Sequence, residues 1–192
     1  MNTEFTETSL KDILKRHKRS FDGKIFPNEP PDEDDLMLIF GLTQEIKSKN
    51  KQYWGKQLGH CWEDIITTLC RQKCENFGDR IKYGSGRKHL CDFVIGNIAV
   101  DTKYRIGSGD QGTLDKFKLY GNKLHERGYR PFMLILRKDN LPSAINACQE
   151  GGWTVKTDNE TYEYISGITS FDLKSWLKAK RNCYNPSDIG TT

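Results

Sequence analysis

Asp92-Phe-Val-Ile-Gly-Asn-Ile-Ala-Val-Asp101-Thr-Lys103 is the stretch that decides the fold. Two short β-rich runs, Phe93-Val-Ile95 and Ile98-Ala-Val100, are parted by Gly96-Asn97. A two-residue loop with glycine first predicts a tight antiparallel hairpin. The loop length fixes the register: Ile95 faces Ile98, Val94 faces Ala99, Phe93 faces Val100, and Asp92 faces Asp101. Successive side chains point to opposite faces of a strand. Asp92, Asp101 and Lys103 are therefore expected on one face, with Thr102 on the other, and Phe93, Ile95, Ile98 and Val100 back the patch.

Upstream of the hairpin the pattern is helical. Leu58, Trp62, Ile65 and Leu69 recur at helical spacing and predict a helix over about 56–75. Before it, Leu10, Ile13 and Leu14 mark a helix over about 9–19. A loop rich in proline and acid follows over 21–35, and a second helix over about 35–49. Between the long helix and the hairpin, Arg80-Ile-Lys-Tyr83 alternates like a strand. Gly84-Ser-Gly86 and Arg87-Lys88-His89 then make a basic connection.

Downstream, the turn-rich Gly107-Ser-Gly-Asp-Gln-Gly112 precedes a helix bearing Leu114, Phe117 and Leu124, closed by Gly128. Phe132-Met-Leu-Ile-Leu136 is a continuous apolar run, as in a parallel strand buried on both faces. A short helix over 143–149, a strand over 153–155 and a last helix over 171–180 capped by Ser170 complete the chain. The order predicts an α/β fold: an αβββαβ core with a central mixed sheet flanked by helices, carrying an N-terminal helical extension. A single domain over 1–192 is expected, with the extension at 1–55, the core at 56–137 and a C-terminal α/β completion at 138–192.

The 192 residues carry a net charge of +4, and 35% of them are hydrophobic. No apolar run reaches the ~20 residues of a membrane span. The first 20 residues lack the apolar core of a secretion signal, so a cytoplasmic, prokaryotic-type intracellular location is expected. The six cysteines include no C-x-x-C pair, and reduced, mostly buried thiols are the expectation.

Two carboxylates facing each other across a hairpin stand about 5 Å apart. They repel unless a cation lies between them. Oxygen ligands of this kind suit Mg²⁺, which takes one or two carboxylates and keeps waters for exchange. Such an ion polarises a phosphodiester and acidifies a bound water, and Lys103 can orient that water or share the developing charge. The acid-x-Lys triplet alone has little force. Asp22-Gly-Lys24, Glu45-Ile-Lys47 and Asp172-Leu-Lys174 repeat it, but only Asp101-Thr-Lys103 falls on a predicted strand opposite another aspartate.

Glu63 on a helix, Asp92 at one strand and Asp101-Thr-Lys103 on the next resemble the PD-(D/E)XK nuclease superfamily, most closely a type II restriction endonuclease. The resemblance covers roughly 56–136. It implies a Mg²⁺-dependent hydrolase of double-stranded DNA, acting in a restriction system and working as a homodimer. Asp92, Asp101, Lys103 and Glu63 are the implied catalytic residues, and Asp92, Asp101, Glu63 and Thr102 the implied metal positions. Two departures stand out. Cys91 replaces the eponymous proline, and the second acid is aspartate in place of the commoner glutamate. Asp64 rivals Glu63 for the helical carboxylate; Glu63 lies nearer the apolar stripe.

Lys82, Arg87, Lys88, His89 and Arg105 are expected to contact phosphates beside the scissile bond. Ser108, Asp110 and Gln111 are candidates for base edges. A repair, junction or nicking nuclease of the same core is the near alternative. A DNA-binding module without catalysis is the distant one.

Overall fold

The structure is a computed structural model that describes residues 3–22, 33–86 and 88–186. The chain divides into two compact units, Met1–Thr68 with Phe171–Thr192, and Leu69–Ser170. The expected boundaries at 55 and 137 do not coincide with this division.

The first unit is helical. It holds α1 (Thr3–Phe21), α2 (Asp35–Ile39), α3 (Gln44–Ser48), most of α4 (Lys51–Lys73) and α8 (Leu173–Lys178). Leu10, Leu14, Leu36, Ile39, Leu58 and Trp62 are fully buried, as helical spacing requires of an apolar face. Phe21 packs edge-on against both Phe40 and Trp54, with ring centroids 4.5 and 5.1 Å away. The single helix expected over 35–49 is two. Gly41 sits at a φ of +58°, which ends the first of them, and the Thr43 hydroxyl caps the second at the Ile46 N–H. The last helix is capped by Asp172, whose carboxylate accepts from the Ser175 N–H at 3.0 Å. Ser170 instead closes the preceding helix in a left-handed conformation, so the serine cap is corrected to an aspartate cap.

The second unit is a five-stranded mixed sheet flanked by helices. Its strands are β1 (Phe77–Gly78), β2 (Phe93–Ile95), β3 (Ile98–Lys103), β4 (Arg130–Ile135) and β5 (Thr154–Thr157), paired in that order. The first three run antiparallel, and β3–β4 and β4–β5 run parallel. Parallel neighbours need crossovers, supplied by α5 (Gln111–Glu126) and α6 (Pro142–Glu150). A seventh helix, α7 (Asn159–Thr169), was not anticipated. The strand expected over 80–83 is corrected as well. Instead, the segments 81–83 and 88–90 meet through a bridge between Lys82 and His89 and hydrogen bonds from the Tyr83 N–H to the Lys88 carbonyl and from the Leu90 N–H to the Ile81 carbonyl. The first strand is Phe77–Gly78, where Phe77 stacks on Phe93 at 5.5 Å.

Alternation along β3 divides its side chains. Ala99 belongs to an apolar cluster with Leu90, Phe117, Leu124, Met133, Ile135 and Trp153. Gly121 and Gly151 let α5 and the end of α6 meet backbone to backbone. The Trp153 indole N–H seals that junction by donating to the Phe117 carbonyl at 2.8 Å. Asp101 and Lys103 continue the same alternation toward the end of β3.

Candidate active site

The hairpin has the expected register, with Ile95 opposite Ile98, Val94 opposite Ala99 and Phe93 opposite Val100. Gly96 takes a φ of +57° at the head of the turn. The ladder then departs from regular pairing. The Asp92 N–H donates to the Val100 carbonyl at 2.8 Å, so Asp92 and Phe93 both address Val100, as in a β-bulge. The simple placement of Asp92 squarely across from Asp101 is corrected accordingly.

The kink re-aims the Asp92 carboxylate. Its Oδ2 accepts from both the backbone N–H and the hydroxyl of Thr102, at 2.7 and 2.8 Å. Thr102 is itself buried, which explains why its hydroxyl needs a partner. Asp101 lies next along β3 with only 16% of its side chain exposed, and Lys103 with 33%. The Lys103 ammonium donates to Asp101 Oδ1 and, at 3.0 Å, to the Thr102 carbonyl. Burial raises the Asp101 pKa to about 6. The neighbouring Asp92 charge pushes it the same way, while Lys103 and Lys116 oppose the rise. Desolvation thus outweighs an ion pair that touches the carboxylate directly.

Around Asp101 stand groups that the sequence did not single out. Tyr120 on α5 is buried within the electrostatic reach of Asp101. Lys116, one turn earlier, places its ammonium 5.2 Å from the Tyr120 ring centroid. Burial, with the nearby Asp101 charge, pushes the thiols of Cys91 and Cys148 up to about 11 and about 12. Tyr120 continues the apolar stripe of α5 and was legible as core. Its place beside Asp101 follows only from the β3–α5–β4 crossover.

The remaining candidates scatter. Glu63 is half-buried on α4, in the first unit. Its rival Asp64 accepts from Arg16 and from His17, the latter at 3.0 Å. Burial resists its ionisation, but His17 and Arg16 prevail and lower its pKa. Asp110 is the N-cap of α5, accepting from the Thr113 N–H, the Thr113 hydroxyl and the Ser108 hydroxyl. Those bonds hold its pKa near 2. Gln111 donates to Asp115 at 2.7 Å. Ser108, Asp110 and Gln111 are therefore engaged in building the helix start. Arg105 pairs with Asp139 at 2.9 Å, and Asp139 also takes Arg137 at 2.6 Å. Lys82 and Lys88 are exposed on the two segments that pair at 81–83 and 88–90, His89 is half-buried there, and Arg87 lies outside the described residues.

Among the described residues, no group of three or more His, Cys, Asp or Glu side chains is placed to hold a metal ion. Two carboxylates with exchangeable waters meet the needs of Mg²⁺. Among the described residues, the side-chain and backbone donors to these carboxylates fall on Oδ2 of Asp92 and Oδ1 of Asp101, leaving Oδ1 of Asp92 and Oδ2 of Asp101 facing no such donor. The donor set fits a hard cation on that ground. Among the described residues no helix is long and apolar enough to cross a membrane. Comparisons with protein-family models, with curated proteins and with solved structures gave no match to this chain.

Proposed function

We propose that the chain is a Mg²⁺-dependent endonuclease of the PD-(D/E)XK kind, cutting both strands of a short DNA sequence as a type II restriction enzyme does. The observation that carries this reading is the largely enclosed Asp101, with 16% of its side chain exposed, paired with Lys103 on the strand that also fixes Asp92. A solvated surface cluster would leave all three groups in water with ordinary ionisation. Here one acid is held back from ionising by burial, which is frequent where charge does chemistry.

Asp92 and Asp101 would hold the cation. When bound, Mg²⁺ supplies a Lewis acid for a phosphodiester oxygen and lowers the pKa of a water. Thr102 keeps Asp92 in one orientation through two hydrogen bonds, so little order remains to be gained on binding. The Lys103 ammonium, held against Asp101 and the Thr102 carbonyl, is placed to orient a water or meet the negative charge growing on phosphorus oxygens. Above pH about 6 Asp101 is ionised and open to the cation. Below that pH a proton competes with the cation for Asp101. A homodimer whose two-fold axis matches that of the DNA would cut both strands.

The test is incubation of the purified protein with plasmid DNA, with Mg²⁺ or with a chelator. Discrete fragments that need Mg²⁺ support the restriction reading. Nicks or a smear assign the same centre to a repair, junction or nicking task. Tight binding without cleavage overturns the catalytic reading.

A further inference from the structure

A second constellation lies at the end of α4, independent of the nuclease reading. Cys70 and Cys74 stand one helical turn apart, with the Cys74 N–H donating to the Cys70 carbonyl at 2.8 Å. Helix geometry sets Cα atoms four residues apart at ~6 Å, within a disulfide's Cα span, and Cβ atoms at about 5–6 Å, wider than its ~4 Å, so closing the bond draws in the chain just past Lys73, where α4 stops. The two differ in access: Cys70 is buried and Cys74 half-buried. Each thiol acts on the other: with burial, the neighbouring Cys74 holds the Cys70 thiol well up, and the neighbouring Cys70 brings the Cys74 thiol down. The Cys74 thiol also reaches the Ile168 carbonyl at 3.5 Å.

A third group belongs to the cluster. Tyr164 on α7 stacks against Phe132, with centroids 4.9 Å apart. Its hydroxyl is shut off from solvent and has no hydrogen-bond partner among the described residues. It lies within the electrostatic reach of both sulfurs. A buried phenol donor without an acceptor costs about 1–3 kcal/mol. A thiolate formed at either sulfur places its charge within electrostatic reach of that unpartnered phenol.

We propose that Cys70 and Cys74 form a redox-active dithiol, which a hydroperoxide converts to a disulfide across the last turn of α4. The Cys74 thiolate attacks one peroxide oxygen and the O–O bond breaks. With hydrogen peroxide, the leaving hydroxide takes a proton to become water and Cys74 becomes a sulfenic acid. Cys70 gives up its proton and attacks the sulfenic sulfur; the S–S bond forms, the S–O bond breaks and a second water departs. Two thiols lose two electrons and two protons, and one peroxide is reduced to two waters. Cys74 is the attacking sulfur because it is the accessible member of the pair.

The test is titration of the reduced full chain with hydrogen peroxide, followed by alkylation, tryptic digestion and mass analysis. Arg71 and Lys73 lie between the two cysteines, so the disulfide links the tryptic peptides 57–71 and 74–80. Fragmentation separates Cys70 from Cys61 within the first of them. The linked pair is expected to form roughly tenfold faster than oxidation of the exposed Cys183 thiol. In Cys70→Ser, a dimedone probe should trap a sulfenic acid at Cys74; in Cys74→Ser, Cys70 should remain a thiol. The proposal is overturned if Cys183 oxidises first in the wild-type chain. A Cys74 sulfinic acid with Cys70 still reduced overturns it equally. The wild-type measurement decides the matter even where a variant does not fold.

Discussion

Thr102 donates twice to a single oxygen of Asp92, from its backbone N–H at 2.7 Å and its hydroxyl at 2.8 Å. The strand that bears Asp101 and Lys103 therefore also clamps the other carboxylate. The bulge at Asp92 makes this possible, by turning a side chain toward a residue whose own side chain leaves β3 on the opposite face.

Replacing Thr102 with valine keeps the branched shape and removes the hydroxyl. A hydrogen bond to a charged group is worth about 1.5–3 kcal/mol, and Thr102→Val should lose about that much stability. Thr102→Ser, which restores the donor, should recover most of it. Urea unfolding of the three proteins checks the order. Equal midpoints for wild type and Thr102→Val would refute the clamp.

Asp101 gives a prediction with a definite sign in pH. Its folded pKa is raised from 3.8 to about 6, first by burial, so the folded state binds more protons than the unfolded one between those values. Stability from this group is therefore highest below the unfolded pKa and falls as pH rises through about 4 to 6. A shift of about two units corresponds to about 3 kcal/mol. The stability of Asp101→Asn relative to wild type should rise by that order across the window. The offset set by losing the Lys103 pair does not change this slope. Denaturant unfolding at pH 4, 5, 6 and 7 measures it, and a flat difference would remove the burial argument.

The same proton bears on cleavage. DNA hydrolysis by the wild-type protein should decline as pH falls below about 6, when Asp101 takes up a proton, and raising Mg²⁺ should move the midpoint lower. Lys103→Ala should abolish cleavage at every pH while circular dichroism stays unchanged. Retained cutting by that variant would dismiss Lys103 from the reaction.

How much of this was legible depends on the range of the contacts. The hairpin register follows from a two-residue loop, a local constraint, and the sequence carried it from Phe93 to Val100. The parallel β4 was legible as an apolar run because both of its faces are covered. The bulge was not, since a ladder fault depends on tertiary fit around Asp92 and not on the residue types. The helix α7 was missed because Thr157-Asp-Asn-Glu-Thr-Tyr reads as a polar turn, and its start at Asp158 has a positive φ without a side-chain cap. At the loop 107–112, the residue types that suggest base reading are also those that cap a helix, and capping is what Asp110 does.

Gly121 tests the junction of α5 with α6. A Cβ there would overlap the Gly151 carbonyl and come within 2.7 Å of the Trp153 indole nitrogen. Backbone cannot swing aside as a flexible side chain can. Gly121→Ala should cost about 1–3 kcal/mol or more, despite the better helix propensity of alanine. Gly55→Ala, where nothing lies within 4 Å, should be neutral or stabilising. Thermal melts of the two variants give the comparison.

The choice between Glu63 and Asp64 as the helical carboxylate is settled by separating stability from cleavage. Asp64 is ion-paired with Arg16 and His17, and 42% of its side chain is exposed. Solvent screening limits such a pair to about 1 kcal/mol or less. Its lowered pKa means that this contribution is complete above the ordinary carboxylate range and is lost as pH falls below it. Asp64→Asn should therefore lower stability slightly at pH 7, converge with wild type in acid, and leave cleavage intact. Glu63→Gln should do the reverse, lowering cleavage at unchanged stability. Plasmid assays and urea unfolding on both variants decide the assignment, and loss of cleavage in Asp64→Asn alone would transfer the catalytic role to Asp64.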